Sequence, residues 1–225
     1  GPAYRSLAYT LARSIENYAT YYDIHYPNEE RQSGRPLRTS PTYEILTDLG
    51  AAFGEKSGWE RPNWFAPAGV EPQDVYSMGR QNWFGPVGKE HAHVRAHAGL
   101  FDQSSFAKYE LSGPKAADAL EAICANRVAR DVGRLTYTQL LNSRGGIEAD
   151  LTVSRLAEDQ FYIVTGTGFR THDFAWIADH LPAEGTTFRD VTEDWGTLSL
   201  MGPKARDILA KVTDAEVKAF YDKFD

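Results

Sequence analysis

The stretch Asn142-Ser-Arg-Gly-Gly-Ile-Glu-Ala-Asp150-Leu-Thr-Val153 decides how this chain is read. A Gly-Gly turn delivers an acidic residue into the first positions of a β-branched strand. A carboxylate there is held by a rigid element yet borders a loop, a useful place for a catalytic group. Asn, Ser, Gly and Asp equally suit an ordinary hairpin turn, and local chemistry alone favours that plain reading. The surrounding sequence has to separate the two.

Working outward, strands are expected at about 108–112, 135–141, 150–156 and 160–165, then near 186–191 and 196–201. Helices are expected at 89–98, 114–125, 169–180 and 203–212. Pro114 would sit at a first helical position, where its missing N–H is harmless. Leu111-Ser-Gly-Pro-Lys-Ala116 and Leu200-Met-Gly-Pro-Lys-Ala205 echo each other, each a strand end followed by an amphipathic helix. The pattern predicts an α+β fold, an antiparallel or mixed sheet carrying helices, built from pseudo-duplicated strand–helix units on one sheet.

The N-terminal part reads differently, as a mostly helical and irregular segment. Tyr4, Leu7, Leu11, Ile15, Tyr18 and Tyr22 form one apolar stripe of a helix over 4–24. That stripe either packs on the chain's own core, the preferred reading, or docks a larger neighbour, which its tyrosines suit. A polar loop follows over 27–41 and a helix over 42–53. Residues 59–88 carry Trp59, Trp64, Phe65, Trp83 and Phe84 among four prolines, which predicts an ordered irregular segment laid over a core.

The chain has 225 residues and a formal charge of −7. Basic clusters are absent, so neither nucleic acid nor an anionic membrane is an expected partner. No apolar run is long enough to span a bilayer. Cys124, the one cysteine, sits in the apolar run Ala-Ile-Cys-Ala and is expected to be a buried, inert thiol. The compartment expected is reducing, cytoplasm or an organelle matrix. Gly1-Pro2 looks like the scar of a protease cut.

Other chemistry is weighed against plainer readings. His91, His93 and His97 cluster, with His93 and His97 four apart, but lack the HExxH order and further ligands; solvated or capping histidines are preferred over a metal site. No G-x-S-x-G elbow and no G-x-G-x-x-G fingerprint occurs. Gly166-Thr-Gly-Phe-Arg170 follows a strand and opens a helix, where free N–H groups could meet a polar ligand or merely form a tight turn.

Several motifs occur in order and resemble one family: Glu90-His with Val94-Arg95, Gly99-Leu-Phe-Asp102, Ser105-Phe-Ala-Lys108, Tyr137, Asn142, Gly145-Gly146, Asp150-Leu-Thr-Val153, Val164-Thr-Gly166 and Leu198 to Arg206. Together, over roughly residues 30–212, they resemble the folate-binding aminomethyltransferase domain of the glycine-cleavage T-protein. Gly34 to Tyr43 and Gly58 to Phe65 are similar to the versions fused to flavin domains in dimethylglycine and sarcosine dehydrogenases and oxidases.

The resemblance implies transfer of a one-carbon unit from a methylated amine to tetrahydrofolate, giving 5,10-methylenetetrahydrofolate. It implies Asp150 as the catalytic carboxylate, orienting or deprotonating the attacking folate amine and facing a pterin-sized cleft. Tyr137, Val164 and Gly166 match pterin-contacting positions, and Phe106 a wall residue. Gly166 stands where the glycine-cleavage branch has Asn, and Phe106 where it has Met.

No metal is expected, and FAD is expected only in a flavin domain or partner outside this chain. The family continues with a Gly-Tyr-Thr-Gly-Glu stretch not found here, and the tail Glu216 to Asp225 departs from it. The expected organisation is an N-terminal helix and bridge over 1–60, next to a flavin domain, and an incomplete folate-binding domain over 61–225. Two alternatives remain: a non-catalytic module that binds folate or docks a flavoprotein, and a tetrahydrofolate-dependent O- or S-demethylase.

Overall fold

The computed structural model describes residues 2–214; the tail from Glu216 lies outside the described residues. The described residues divide into two compact units, one from residues 2–103 with 197–214, the other from 104–196.

In the first unit, helix α1 (Leu7–Ala19) follows a 3-10 turn at Pro2–Arg5 and is capped by Ser6, whose hydroxyl accepts from Tyr9 N at 3.1 Å. Helix α2 is only Tyr43–Asp48, because Gly50, at φ 82°, stops it and the chain turns into strand β1 (Ala51–Lys56). β1 pairs antiparallel with β2 (Trp59–Phe65).

The expected irregular run from 59 therefore begins as a strand. The missed signal is the two-residue Ser57-Gly58 loop. Both residues take positive φ, 52° and 82°, the geometry that joins tight hairpins. Pro62 is tolerated beside an irregularity in the register opposite Phe53. Trp59 and Trp64 are buried in this hairpin.

Helix α3 (Phe84–Ala96) starts five residues before the expected 89, and strand β3 (Gly99–Asp102) pairs antiparallel with β9 (Leu198–Met201), followed by α6 (Ala205–Leu209). The preferred packing of the N-terminal stripe is overturned. Leu7, Leu11, Ile15, Tyr18 and Tyr22 are 56–92% exposed.

The second unit is a five-stranded sheet in the order β5-β6-β7-β4-β8, antiparallel at every pairing. Its strands are β4 (Ala107–Ser112), β5 (Leu135–Leu141), β6 (Ile147–Ala157), β7 (Gln160–Thr165) and β8 (Thr187–Asp190). Helices α4 (Ala116–Ile123) and α5 (Arg170–His180) pack through Ala116, Leu120 and Ile177 on a core of Tyr109, Leu111, Leu140, Leu151, Val153, Phe161 and Ile163. Burying such side chains contributes about 1.5–3 kcal/mol each.

The two Gly-Pro-Lys-Ala echoes adopt one local structure. Gly113 and Gly202 have φ 121° and 112°, and Ala116 N and Ala205 N return to their carbonyls at 2.9 and 3.0 Å. A Cβ would lie 2.5 Å from Gly185 O in the first and 2.6 Å from His97 O in the second, so both positions demand glycine. The echo does not share one sheet, as expected, but two: β4 belongs to the five-stranded sheet and β9 to the β3–β9 pair. Pro114 lies two residues before α4 rather than at its first position, with Lys115 at the N-cap.

Candidate functional site

The hairpin that delivers Asp150 is held by Asn142. Its side-chain oxygen accepts from Arg144 N at 3.0 Å and Gly146 N at 2.9 Å, and Gly145 takes φ 78°. β6 begins at Ile147, three residues earlier than expected, so Asp150 lies inside the ladder opposite Gln139 rather than at the strand's mouth.

Strand alternation then assigns the faces. Ala149, Leu151 and Val153 enter the core under α4 and α5, while Asp150, Thr152 and Ser154 go to the opposite face. The register carries this across the sheet: Tyr137 faces Thr152, Thr152 faces Val164, and Val164 faces Lys108. Phe106 and Gly166 are the residues just outside the last pair of the β4–β7 ladder, Ala107 opposite Thr165. The register thus gathers Tyr137, Asp150 and Val164 on one side of one sheet, with Phe106 and Gly166 one residue beyond its edge.

Asp150 Oδ2 accepts a hydrogen bond from the Tyr137 phenol at 2.8 Å. The diagonal spacing of cross-strand neighbours allows this reach. Both residues are exposed, Tyr137 by 55%. The carboxylate is therefore oriented by the phenol and exposed. Phe106 and Val164 are half-buried and supply the apolar ground nearby. Gly166 caps the 3-10 turn Thr167–Phe169, and a Cβ there would press within 3.2 Å of the Phe169 ring.

Two features escaped the sequence reading. Lys108, quoted there only as part of a motif, is fully buried on the same row as Val164. Its Nζ donates to the carbonyls of Ser104 at 2.7 Å, Phe106 at 3.0 Å and Thr192 at 3.4 Å. A buried ammonium needs such partners, and these fix the chain on either side of Phe106.

The second feature is a polar chain at the start of β6. Asn142 Nδ2 donates to Glu148 at 2.8 Å; Glu148 lies 3.6 Å from His172 Nε2; His172 Nδ1 lies 2.9 Å from buried Asp173; and Asp173 accepts from Thr165 at 2.5 Å. Only the fold brings the hairpin turn and the first turn of α5 together, so no spacing in the sequence announced it.

Elsewhere in this unit, burial, followed by the charge of Glu121, pushes the Cys124 thiol up to about 12, as an inert cysteine requires. In the other unit, His93 and His97 stack their rings at 4.8 Å on α3. Among the described residues no group of three His, Cys, Asp or Glu is placed to hold a metal ion. No helix among them is long and apolar enough to cross a membrane.

The family described as GCVT N-terminal domain matches residues 42–224, and that described as FAD dependent oxidoreductase central domain matches residues 1–40. A 4-methylaminobutanoate oxidase (formaldehyde-forming) of Paenarthrobacter nicotinovorans is 36% identical over 91% of this chain and 25% of its own length. Mitochondrial dimethylglycine dehydrogenase of Rattus norvegicus is 36% identical over 96% of this chain and 25% of its own. The crystal structure of the glycine cleavage system aminomethyltransferase T from Bartonella henselae superposes with a TM-score of 0.62 at 34% identity, covering 77% of this chain and 43% of that one. The chain thus spans about a quarter of the length of the curated relatives it matches.

Proposed function

Since the chain belongs to the GCVT N-terminal domain family, we propose that it is the folate-handling portion of an amine-oxidising enzyme, moving a one-carbon unit from a methylated amine to tetrahydrofolate. The observation that carries this reading is the Asp150–Tyr137 pair at 2.8 Å, on the same sheet face as Val164. An ionised carboxylate can take a proton from an attacking amine and steady a cationic carbon intermediate. Tyr137 holds that carboxylate in one rotamer through the phenol proton. Phe106 and Val164 offer apolar surface to one side of a flat ring, and the absence of a side chain at Gly166 removes a potential hydrogen-bond donor. The amine is recognised in the flavin-bearing portion, outside this chain; the match of residues 1–40 to an FAD oxidoreductase domain supports that division.

Calorimetry with tetrahydrofolate tests it. Micromolar binding by this chain, lost in Asp150→Ala with the melting temperature unchanged, is the expected result. Absence of binding to any chain that contains residues 42–224 would sink the reading. A second reading, a module that docks a flavoprotein without turnover, draws on the exposure of Asp150 and the bare stripe of α1. Formation of 5,10-methylenetetrahydrofolate from a methylated amine by the flavin-containing enzyme, abolished by Asp150→Ala, excludes it. The same product analysis with O- or S-methylated donors separates the demethylase alternative.

A further inference from the structure

Two phenylalanines at the start of α5 have opposite fates. Phe174 stacks on Phe188 at 4.6 Å and packs against the core of the second unit. Phe169 is 59% exposed and has no ring partner among the described residues. A single exposed aromatic is ordinary, so any role has to come from where this ring lies. Thr165 points to the core side, buried, and its hydroxyl donates to Asp173 at 2.5 Å. Gly166 continues extended, at φ −65° and ψ 143°, so a side chain there would turn the other way, to the side of Val164. The Phe169 ring covers that spot. A Cβ on Gly166 would lie 3.2 Å from its Cδ2 and 3.7 Å from its Cε2. The Phe169 N–H, donating to the Gly166 carbonyl at 2.9 Å, closes the turn that puts the ring there.

Two contacts bracket Asp150 against this turn. On one side of Asp150, Thr152 pairs with Val164. On the other, Glu148 lies 3.6 Å from His172, three residues beyond Phe169. Asp150 stands midway between Thr152 and Glu148 on β6, as residues 166–169 stand between Val164 and His172. The exposed ring and the exposed carboxylate therefore border one patch of surface, with half-buried Val164 beside them.

We propose that Phe169 is a folate-binding residue: the flat pyrimidinone half of tetrahydrofolate stacks on its ring, beside the Asp150 carboxylate. The inference rests on the folate reading and adds a contact residue to it. An aromatic face holds a flat heterocycle whatever its hydrogen-bonding edge, and leaves that edge free for polar partners. Gly166 is what lets the ring lie so close to the backbone. A stack of this kind is made equally in the bound and reacting states, so it lowers KM and leaves kcat alone.

Calorimetry with tetrahydrofolate, on this chain or a longer one containing residues 42–224, tests it. Phe169→Ala is expected to weaken binding by about tenfold or more. Its melting temperature should stay at the wild-type value, since the side chain already meets water. Phe169→Leu keeps apolar bulk without an aromatic face and should lose nearly as much; Phe169→Tyr should bind like the wild type. In the flavin-containing enzyme Phe169→Ala should raise KM for tetrahydrofolate and leave kcat near the wild-type value. Equal affinity of the wild type and Phe169→Ala overturns the inference, as does a Phe169→Leu variant that binds like the wild type. A lowered melting temperature with binding that Phe169→Tyr does not restore also overturns it, since the ring is then structural. All three results leave the folate reading standing. A wild type that binds in no chain containing residues 42–224 sinks that reading and this inference together, so the two failures are told apart.

Discussion

Helices α1 and α4 begin from the same kind of sequence and end in opposite environments. Both are amphipathic, with apolar residues at spacings of three and four. α4 turns Ala116, Ala119 and Leu120 into the core on the five-stranded sheet. α1 buries no residue fully and leaves its leucines and isoleucine in solvent. Amphipathicity identifies an apolar face but does not say which body covers it. For α4 the cover is β4 to β7 in the same unit; for α1 it is not among the described residues.

The largest effect expected from this contrast is at Leu120, 1% exposed. Leu120→Ala should cost about 2–5 kcal/mol through the lost burial and the cavity left behind, read by urea denaturation. Gly113→Ala comes next, at roughly 1–3 kcal/mol, since a Cβ meets Gly185 O at 2.5 Å in a backbone conformation side chains avoid. Gly202→Ala should cost a similar amount in the other unit, where the Cβ would meet His97 O at 2.6 Å. If only one of the two matters, the echoed turns are not equivalent.

A smaller effect is expected from acid. Burial raises the Asp190 carboxyl, but hydrogen bonds from Arg170 and Thr192 outweigh it and hold the group below its usual range. A depressed carboxyl contributes stability above its unfolded pKa and loses it as pH falls through the folded value. Melting curves of the wild type and Asp190→Asn should therefore differ near neutrality, by under about 1 kcal/mol for a pair this accessible. They should converge in acid. The smallest effect is Leu11→Ala in α1, expected within about 0.5 kcal/mol in this chain because the side chain already meets water. A loss comparable to Leu120→Ala would break the comparison.

Much of the second unit was legible beforehand. The strands at 135–141 and 160–165 and the helix near 169–180 follow from β-branched runs and from turns whose glycines have few alternatives. The first unit was less so. β1 and β2 are interrupted by glycine and proline and joined by a Ser-Gly turn, so their pairing decides their state more than their propensity does. β3 is four residues long and exists because β9, almost a hundred positions later, pairs with it. At the site, motif resemblance picked out five positions, and the register of the ladders brings three of them, Tyr137, Asp150 and Val164, to one face. Lys108 and the Glu148–His172–Asp173 chain had no local signature, because their partners are backbone carbonyls or distant in sequence.

By itself the sequence determined the α+β class, the Gly-Gly hairpin ahead of Asp150 and the two glycine-dependent turns, because period-two patterning and obligatory glycines are local physics. The tertiary structure alone decided that Asp150 is oriented by Tyr137 and exposed, and that α1 leaves its apolar side in water. Those outcomes depend on which surfaces meet, and burial free energy is settled by the partner present rather than by the pattern that could receive one.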